Sequence, residues 1–489
     1  MSFRNVFLAA VAVVCLGLPA LPQVNGIEVA AGATASVFGG KSPHVQVTDP
    51  DGNVLATIAI GMNPARFIYS ESANTLYVVH NEKNCEHHIS AVNLTTQRVD
   101  KDIKVNAGCM SDLFSSDGGR RVFWYAAGKG GNVAGILFQG DIRPPFEPAI
   151  SVIDTASNEV IATYNWLEDI RAGVPSESRN NFILIVHVLA ASDRGDVIVT
   201  SEVVGKQKYD NYQFVVLSGR SSRPVLIPYG GGSVVASMFS QDQKLLFVAV
   251  EGSRKTTGSL VVVNLEKGTA VSHALENNPT TLLRLGSSKE PWVLSSQELR
   301  AFSEAGEPGD RRIQLTKPRK PEEGEESSAS AFMDGLPGET ISLGNDHAAI
   351  QINKKNGGSI HKVALVDLKQ LQIDAIVRTM SSGQIAAART GRFLAAFGMS
   401  MATGGIFIFV PNFAQNAALA APADGRFLYV LDLEFHEITV VDVQSATAVK
   451  RIPVNNTITR VKVSADGKHL ICFGKKTQQI DLESNSLEN

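Results

Sequence analysis

The chain has 489 residues, 44% of them hydrophobic and 19% charged, with a formal net charge of −3. That balance excludes a disordered polymer, and its mixed signs leave no basic field to hold nucleic acid. Only four cysteines are present, so the fold rests on its core rather than on covalent staples.

Residues 1–26 read as a secretory signal peptide. Arg4 supplies the positive end, Val6 to Leu18 forms an apolar run of about 13 residues, and Pro19, Pro22 and the small residues near Gly26 offer cleavage points. The run is too short to cross a bilayer comfortably, although an uncleaved anchor is the alternative reading. The expectation is a secreted, periplasmic or cell-surface protein with no membrane span once the leader is removed. Residues 27–42 then read as a linker, and 43–485 as one repeat domain with a mobile insertion over 317–338.

Along that domain an apolar triplet or quartet, a break, and Val or Ile followed by Asp or Asn recur. Leu76-Tyr77-Val78-Val79 precedes Val92-Asn93, Leu246-Phe247-Val248-Ala249 precedes Val263-Asn264, and Leu428-Tyr429-Val430-Leu431 precedes Val441-Asp442. All-strand repeats of about 40–50 residues predict a β-propeller.

The units follow in chain order. Val45 to Val47 and Val54 to Ile60 form a hairpin across Asp51-Gly52. The first full unit has strands at Ala65–Tyr69, Thr75–His80, Ile89–Asn93 and Arg98–Val105, rich in β-branched and aromatic residues. The second runs through Leu113-Phe114, Val122–Tyr125, Ile150–Asp154 and Val160–Tyr164. The third runs through Phe182–Val188, Val197–Val204, Phe214–Leu217 and Val225–Pro228. A fourth spans Val234–Leu275, a fifth Thr281–Leu315, and a sixth shows Val363–Asp367 and Ile373–Val377. Arg392–Phe397 and Ile406–Val410 suggest a poorly formed unit before the clear one at Ala417–Val454.

The last unit, Thr459–Val463, Leu470–Phe473 and Gln479–Leu482, lacks an outer strand. The economical reading is that the N-terminal hairpin completes it and closes the ring, which removes exposed sheet edges. The expected fold is an all-β propeller of seven or eight four-stranded blades, with a ninth if the Arg392 region stands alone. Asp154, Asp367 and Asp442, at the ends of third strands, are expected to cap the turns that follow. Asp117-Gly118, Asp424-Gly425 and Asp466-Gly467 mark tight turns before second strands.

Thr75-Leu76-Tyr77-Val78-Val79-His80 and Ala423-Asp424-Gly425-Arg426-Phe427-Leu428-Tyr429-Val430 resemble the YVTN family of β-propeller repeat proteins, with Ala423 where the family pattern has Pro. The resemblance covers most of the chain from about residue 43 and is strong in four or five units. It implies a propeller, seven-bladed in many members and often exported, with roles spread over surface proteins, binding modules and a few enzymes. Similar propellers include lactonases and quinone- or haem-bearing dehydrogenase domains, so the fold alone does not choose a chemistry.

Two clusters carry candidate chemistry. His80, Cys85, His87 and His88 are zinc or copper ligand types at a spacing that fits one ion. Cys85 sits in a loop on the same face as the connection before Cys109, so a Cys85–Cys109 disulfide and two independent thiols stand beside the metal reading. Cys472, in an apolar strand, reads as a buried free thiol. The second cluster is Trp124 and Tyr125 with the insertion Gly128–Pro148, whose Phe138, Arg143 and Phe146 suit a ligand pocket or protein interface, or a loop covering its own blade.

Asp112, Glu202 and Asp432 are acids that suit a central channel. No catalytic set is recognisable: Gly398-Met399-Ser400-Met401-Ala402 falls short of a nucleophile elbow, and neither a haem-attachment nor a His-Glu-x-x-His motif occurs. No cofactor is expected beyond that one metal-ion reading. The sequence thus favours an exported, non-enzymatic scaffold that binds a protein, glycan or small ligand on its loop-rich face. The alternatives are a lactonase-like or other metal-dependent hydrolase, and a surface-layer or adhesion module.

Overall fold

The computed structural model describes residues 26–29, 33–49, 53–61, 64–81, 86–107, 110–116, 118–127, 138–139, 149–165, 182–205, 210–218, 224–229, 232–252, 257–286, 290–316, 333, 335–344, 346–353, 359–379, 418–433, 435–464, 467–474 and 478–487. Among these residues the strands form nine antiparallel sheets in chain order, making an all-β propeller. Blades 1 to 9 span 26–59, 64–104, 110–165, 182–228, 234–274, 279–314, 336–378, 418–453 and 460–487. Each blade is an up-and-down run of four strands. Blade 4 gains a fifth, Phe138–Gln139, from the insertion of blade 3.

The count of seven or eight is thereby corrected to nine. The extra blade is the N-terminal one. Gly26–Glu28 and Thr34–Phe38, within the stretch expected as a linker, pair in sequence with the hairpin His44–Thr48 and Val54–Ala59. The expected closure is also overturned, because the hairpin is used inside its own sheet. Blade 9 supplies its own outer strand, Ser486–Leu487, paired to Gln478–Asp481. Residues 380–417, with the weak unit near Arg392, lie outside the described residues.

Middle strands face a neighbouring blade on both sides, so they need apolar residues throughout. Ala149–Asp154 is buried except for its last residue, and Pro291–Ser295 is buried completely. Outer strands alternate toward solvent, as in Arg98–Lys104 and Pro308–Gln314. The cores therefore lie between blades. Tyr77, Val79, Ile89 and Ile103 of blade 2 pack with Val122, Trp124 and Ile153 of blade 3.

The recurring residues have structural work. Asn93, Asn264 and Asp367 each accept hydrogen bonds from the backbone N–H groups two and three residues ahead, and Asp154, Asp442 and Asp481 accept from the third. Each turn ends in the left-handed region, at Gln97, Asn158, Gly268, Leu371, Ala446 and Asn485. The Tyr of the repeated triplet reaches the next blade. Tyr77 donates to Asn158 Oδ1 (2.5 Å) and Tyr429 to Asn485 Oδ1 (2.6 Å). Burial, then Asp154, pushes the Tyr77 hydroxyl above its ordinary range. Burial, then Asp424 and Asp481, pushes Tyr429 up to about 12.

Strand alternation gives the propeller two unlike faces. First-to-second and third-to-fourth connections lie on one face, and those described throughout are tight. Several are laced together: Ser70 and Ser72 donate to Gly119 O, Ser116 and the Gly118 N–H donate to Asp193, and the Asp193 N–H donates to Gln243. The other face receives the strand ends that flank 128–148, 166–181, 315–335 and 379–417. The insertion strand pairs there, Phe138 opposite Leu184 and Gln139 opposite Ile183, on the inner side of blade 4's first strand.

Candidate functional site

His80, His87, His88, Trp124 and Tyr125 lie at the loop-face ends of blades 2 and 3. His80 ends the second strand of blade 2, and His87 and His88 begin its third. Register sets His80 opposite His88. Successive side chains point to opposite faces of a sheet, so His87 turns away from the other two. Among the described residues these three histidines do not gather into a ligand trio. Cys85 and Cys109 lie outside the described residues.

His80 is buried and its Nε2 lies 2.8 Å from Ser90 Oγ. Ser90 Oγ donates in turn to Asp102 Oδ1 at 2.5 Å. That direction makes His80 Nε2 the proton-bearing nitrogen, an assignment from the network. The order is imidazole, hydroxyl, carboxylate, so the hydroxyl gives its proton to the acid rather than to the histidine. A nucleophilic triad needs the imidazole in the middle. The chain of contacts ties three adjacent strands together instead. Ser90 and Asp102 escaped sequence reading. The signal for them is the two-residue step from His88 to Ser90 and the direct pairing of Ser90 with Asp102.

His87 is buried against Trp124, ring centroids 4.9 Å apart at 59°. Trp124 is fully buried between blades 2 and 3 and donates from Nε1 to Asn106 O at 3.0 Å. The indole thus fills the core and ends at the connection leaving blade 2. Tyr125 is buried too, and burial pushes its hydroxyl well above the usual range. Phe138 is placed only as backbone in the added strand, while Arg143 and Phe146 lie outside the described residues.

Of the acids proposed for the channel, Asp112 stands on the first strand of blade 3. It pairs at 2.5 Å with Arg66 on the first strand of blade 2, both side chains about half exposed. First strands neighbour one another from blade to blade, so this pair belongs to the axial wall. Asp432 is buried and accepts from the Phe435 N–H at 3.1 Å, a turn-capping role. The side chain of Glu202 lies outside the described residues. Cys472 is buried in the core between blades 8 and 9, and burial pushes its thiol up to about 12. Among the described residues no helix is long and apolar enough to cross a membrane.

No family model matches the chain. No curated protein matches it either. Among solved structures, a eukaryotic initiation factor superposes with a TM-score of 0.55 at 9% identity, covering 94% of this chain and 94% of that one. The C-terminal WD40 domain of Sif2 follows at 11% identity, 91% coverage of each chain and a TM-score of 0.39. The β-propeller domain of Cps50 (Swd1) from Myceliophteria thermophila matches at 10% identity, 85% and 94% coverage, and a TM-score of 0.33. The nine sheets define a β-propeller, and at these identities the likeness concerns the fold alone.

Proposed function

We propose that the chain is an exported propeller of the YVTN type that acts as a non-enzymatic scaffold, binding a protein, glycan or small ligand on its loop-rich face. The observation that carries this reading is the contrast between faces. One is stitched turn to turn across blades 2 to 5, as at Asp193. The other carries the long connections, including an insertion that reaches the inner edge of the next blade. Long loops on a rigid scaffold are the usual carriers of recognition. The leader-like residues 1–26 support export.

The test is a screen of residues 26–489, which keep the whole of blade 1, against a glycan array and an array of extracellular proteins. The partner variant has 128–148 replaced by a short turn. Binding by the parent that the variant loses supports the reading. Absence of binding on both arrays, together with turnover of a lactone or ester substrate, overturns it in favour of a hydrolase.

A further inference from the structure

We propose that His347, Asp367 and Asp374 form a binding site for a divalent first-row transition-metal ion, Zn²⁺ foremost, on the tight-turn face of blade 7. The site grows out of a feature shared by several blades. In blades 1, 2, 3, 7 and 8 the fourth strand carries one extra residue soon after its turn: Leu55, Asp100, Ile161, Asp374 and Val449. Such a bulge re-aims a side chain. In blade 2 it brings Asp100 against the residue that caps the turn, Asn93, whose Nδ2 donates to Asp100 Oδ2 at 2.7 Å. Amide and carboxylate satisfy one another there.

Blade 7 has a carboxylate in both places, so neither side chain can donate to the other. The residue opposite Asp367 in register is His347. Both carboxylates are already oriented. Asp367 Oδ1 accepts from the Lys369 and Gln370 N–H groups at 2.7 and 2.8 Å, and Asp374 Oδ1 accepts from Gln372 Nε2 at 3.2 Å. That leaves each Oδ2 turned toward His347 Nε2, at 3.9 Å from Asp367 and 3.7 Å from Asp374. One imidazole nitrogen and two carboxylate oxygens all lie within 4.8 Å of one another.

The Asp367 side chain is only 10% exposed, and its Oδ2 accepts no hydrogen bond among the described residues. Distances of 3.7–3.9 Å are too long for hydrogen bonds. They suit ligands around an ion. With bonds of about 2.1 Å, two ligands at a tetrahedral angle sit about 3.4 Å apart, so each carboxylate oxygen needs to come only a few tenths of an ångström nearer the imidazole nitrogen to reach that spacing. His347 and Asp374 are each 35% exposed, which gives the ion an entry path and room for water ligands. A nitrogen donor with two oxygens favours Zn²⁺ and its row over Ca²⁺ or Mg²⁺. The backbone donors on Asp367 and the Gln372 amide on Asp374 hold the ligands in aim.

The test is calorimetric titration of Zn²⁺ into the chelator-stripped, tag-free chain, with His347→Gln, Asp374→Asn and, as a control away from the site, His88→Ala. The expected result is one equivalent in the parent and the control, weakened tenfold or more in each site variant. Metal-free circular dichroism and melting curves that match the parent establish that the variants fold. Equal Zn²⁺ binding by the parent and both site variants, no binding by the parent, or a preference for Ca²⁺ over Zn²⁺ each overturns the assignment. None of these outcomes depends on what the loop-rich face binds.

Discussion

Gly425→Ala and Gly467→Ala make a matched pair that tests how blades 7 and 8 meet. Both glycines sit in the first turn of their blades with φ in the left-handed region, +64° and +71°. A Cβ at position 467 meets nothing within 4 Å, whereas one at 425 overlaps the carbonyl oxygen of Leu343, which is backbone and cannot rotate away. Gly467→Ala therefore carries the left-handed penalty of about 1–2 kcal/mol, offset by about 0.4–1 kcal/mol of lost unfolded-chain entropy. The net cost is about 1 kcal/mol. Gly425→Ala adds an overpacking term of about 1–3 kcal/mol, because the end of blade 7's first strand must move. With unfolding entropy near 2.1 cal/mol/K per residue over the roughly 330 described residues, Tm falls by about 1–2 °C for Gly467→Ala and about 3–6 °C for Gly425→Ala. Differential scanning calorimetry of the two variants beside the parent reads the difference. Equal shifts, or a larger one at 467, refute the packing of the blade 8 turn on Leu343.

Tyr429→Phe removes the hydroxyl that donates to Asn485 and leaves that oxygen unpaired, which costs about 1–2 kcal/mol, read as a lower urea midpoint. An unchanged midpoint shows that the bond between blades 8 and 9 is not formed in solution. Glu298 is buried, and burial, followed by Glu276, pushes its carboxyl above the usual range against the weaker pull of Arg300 and Arg312. A carboxyl raised on folding favours the protonated folded state. Stability is therefore lost as pH climbs from the unfolded glutamate value, about 4.3, through the folded one. Glu298→Gln is accordingly more stable than the parent at pH 7, and the gain shrinks toward pH 4. A gain of the same size in melting curves at both values contradicts the desolvation argument.

The middle strands were legible because they are pressed on both sides. Val122 to Ala126 is buried without a break, and a continuous apolar run is easy to see. The capping role of Asp154, Asp367 and Asp442 was legible for a local reason, since the cap and its turn are adjacent in sequence. Blade 1 was hidden because Gly26–Glu28 and Thr34–Phe38 are short and come soon after the apolar run of residues 6–18. The opening of blade 7 was hidden by Pro337, Gly338 and Gly344 inside the strand Leu336–Gly344, residues that ordinarily argue against one.

Side-chain convergence was the least legible property. Whether His87 joins His80 and His88 turns on a register of single residues. The approach of Asp374 to Asp367 depends on one bulged residue between partners of Leu365 and Val366, which no periodicity announces.

The independence of the end blades bears on how such a chain changes over generations. Among the described residues no sheet borrows a strand from the far terminus, and the four strands of each blade are one contiguous stretch of gene; only blade 4 adds a strand, Phe138–Gln139, from within blade 3. Duplicating or deleting a stretch other than those two adds or removes a whole blade and leaves every other sheet's hydrogen bonds intact. New termini cut between blades likewise divide no sheet, except at the boundary of blades 3 and 4. Blade number in this design is open to change by a single genetic event everywhere but at that shared strand.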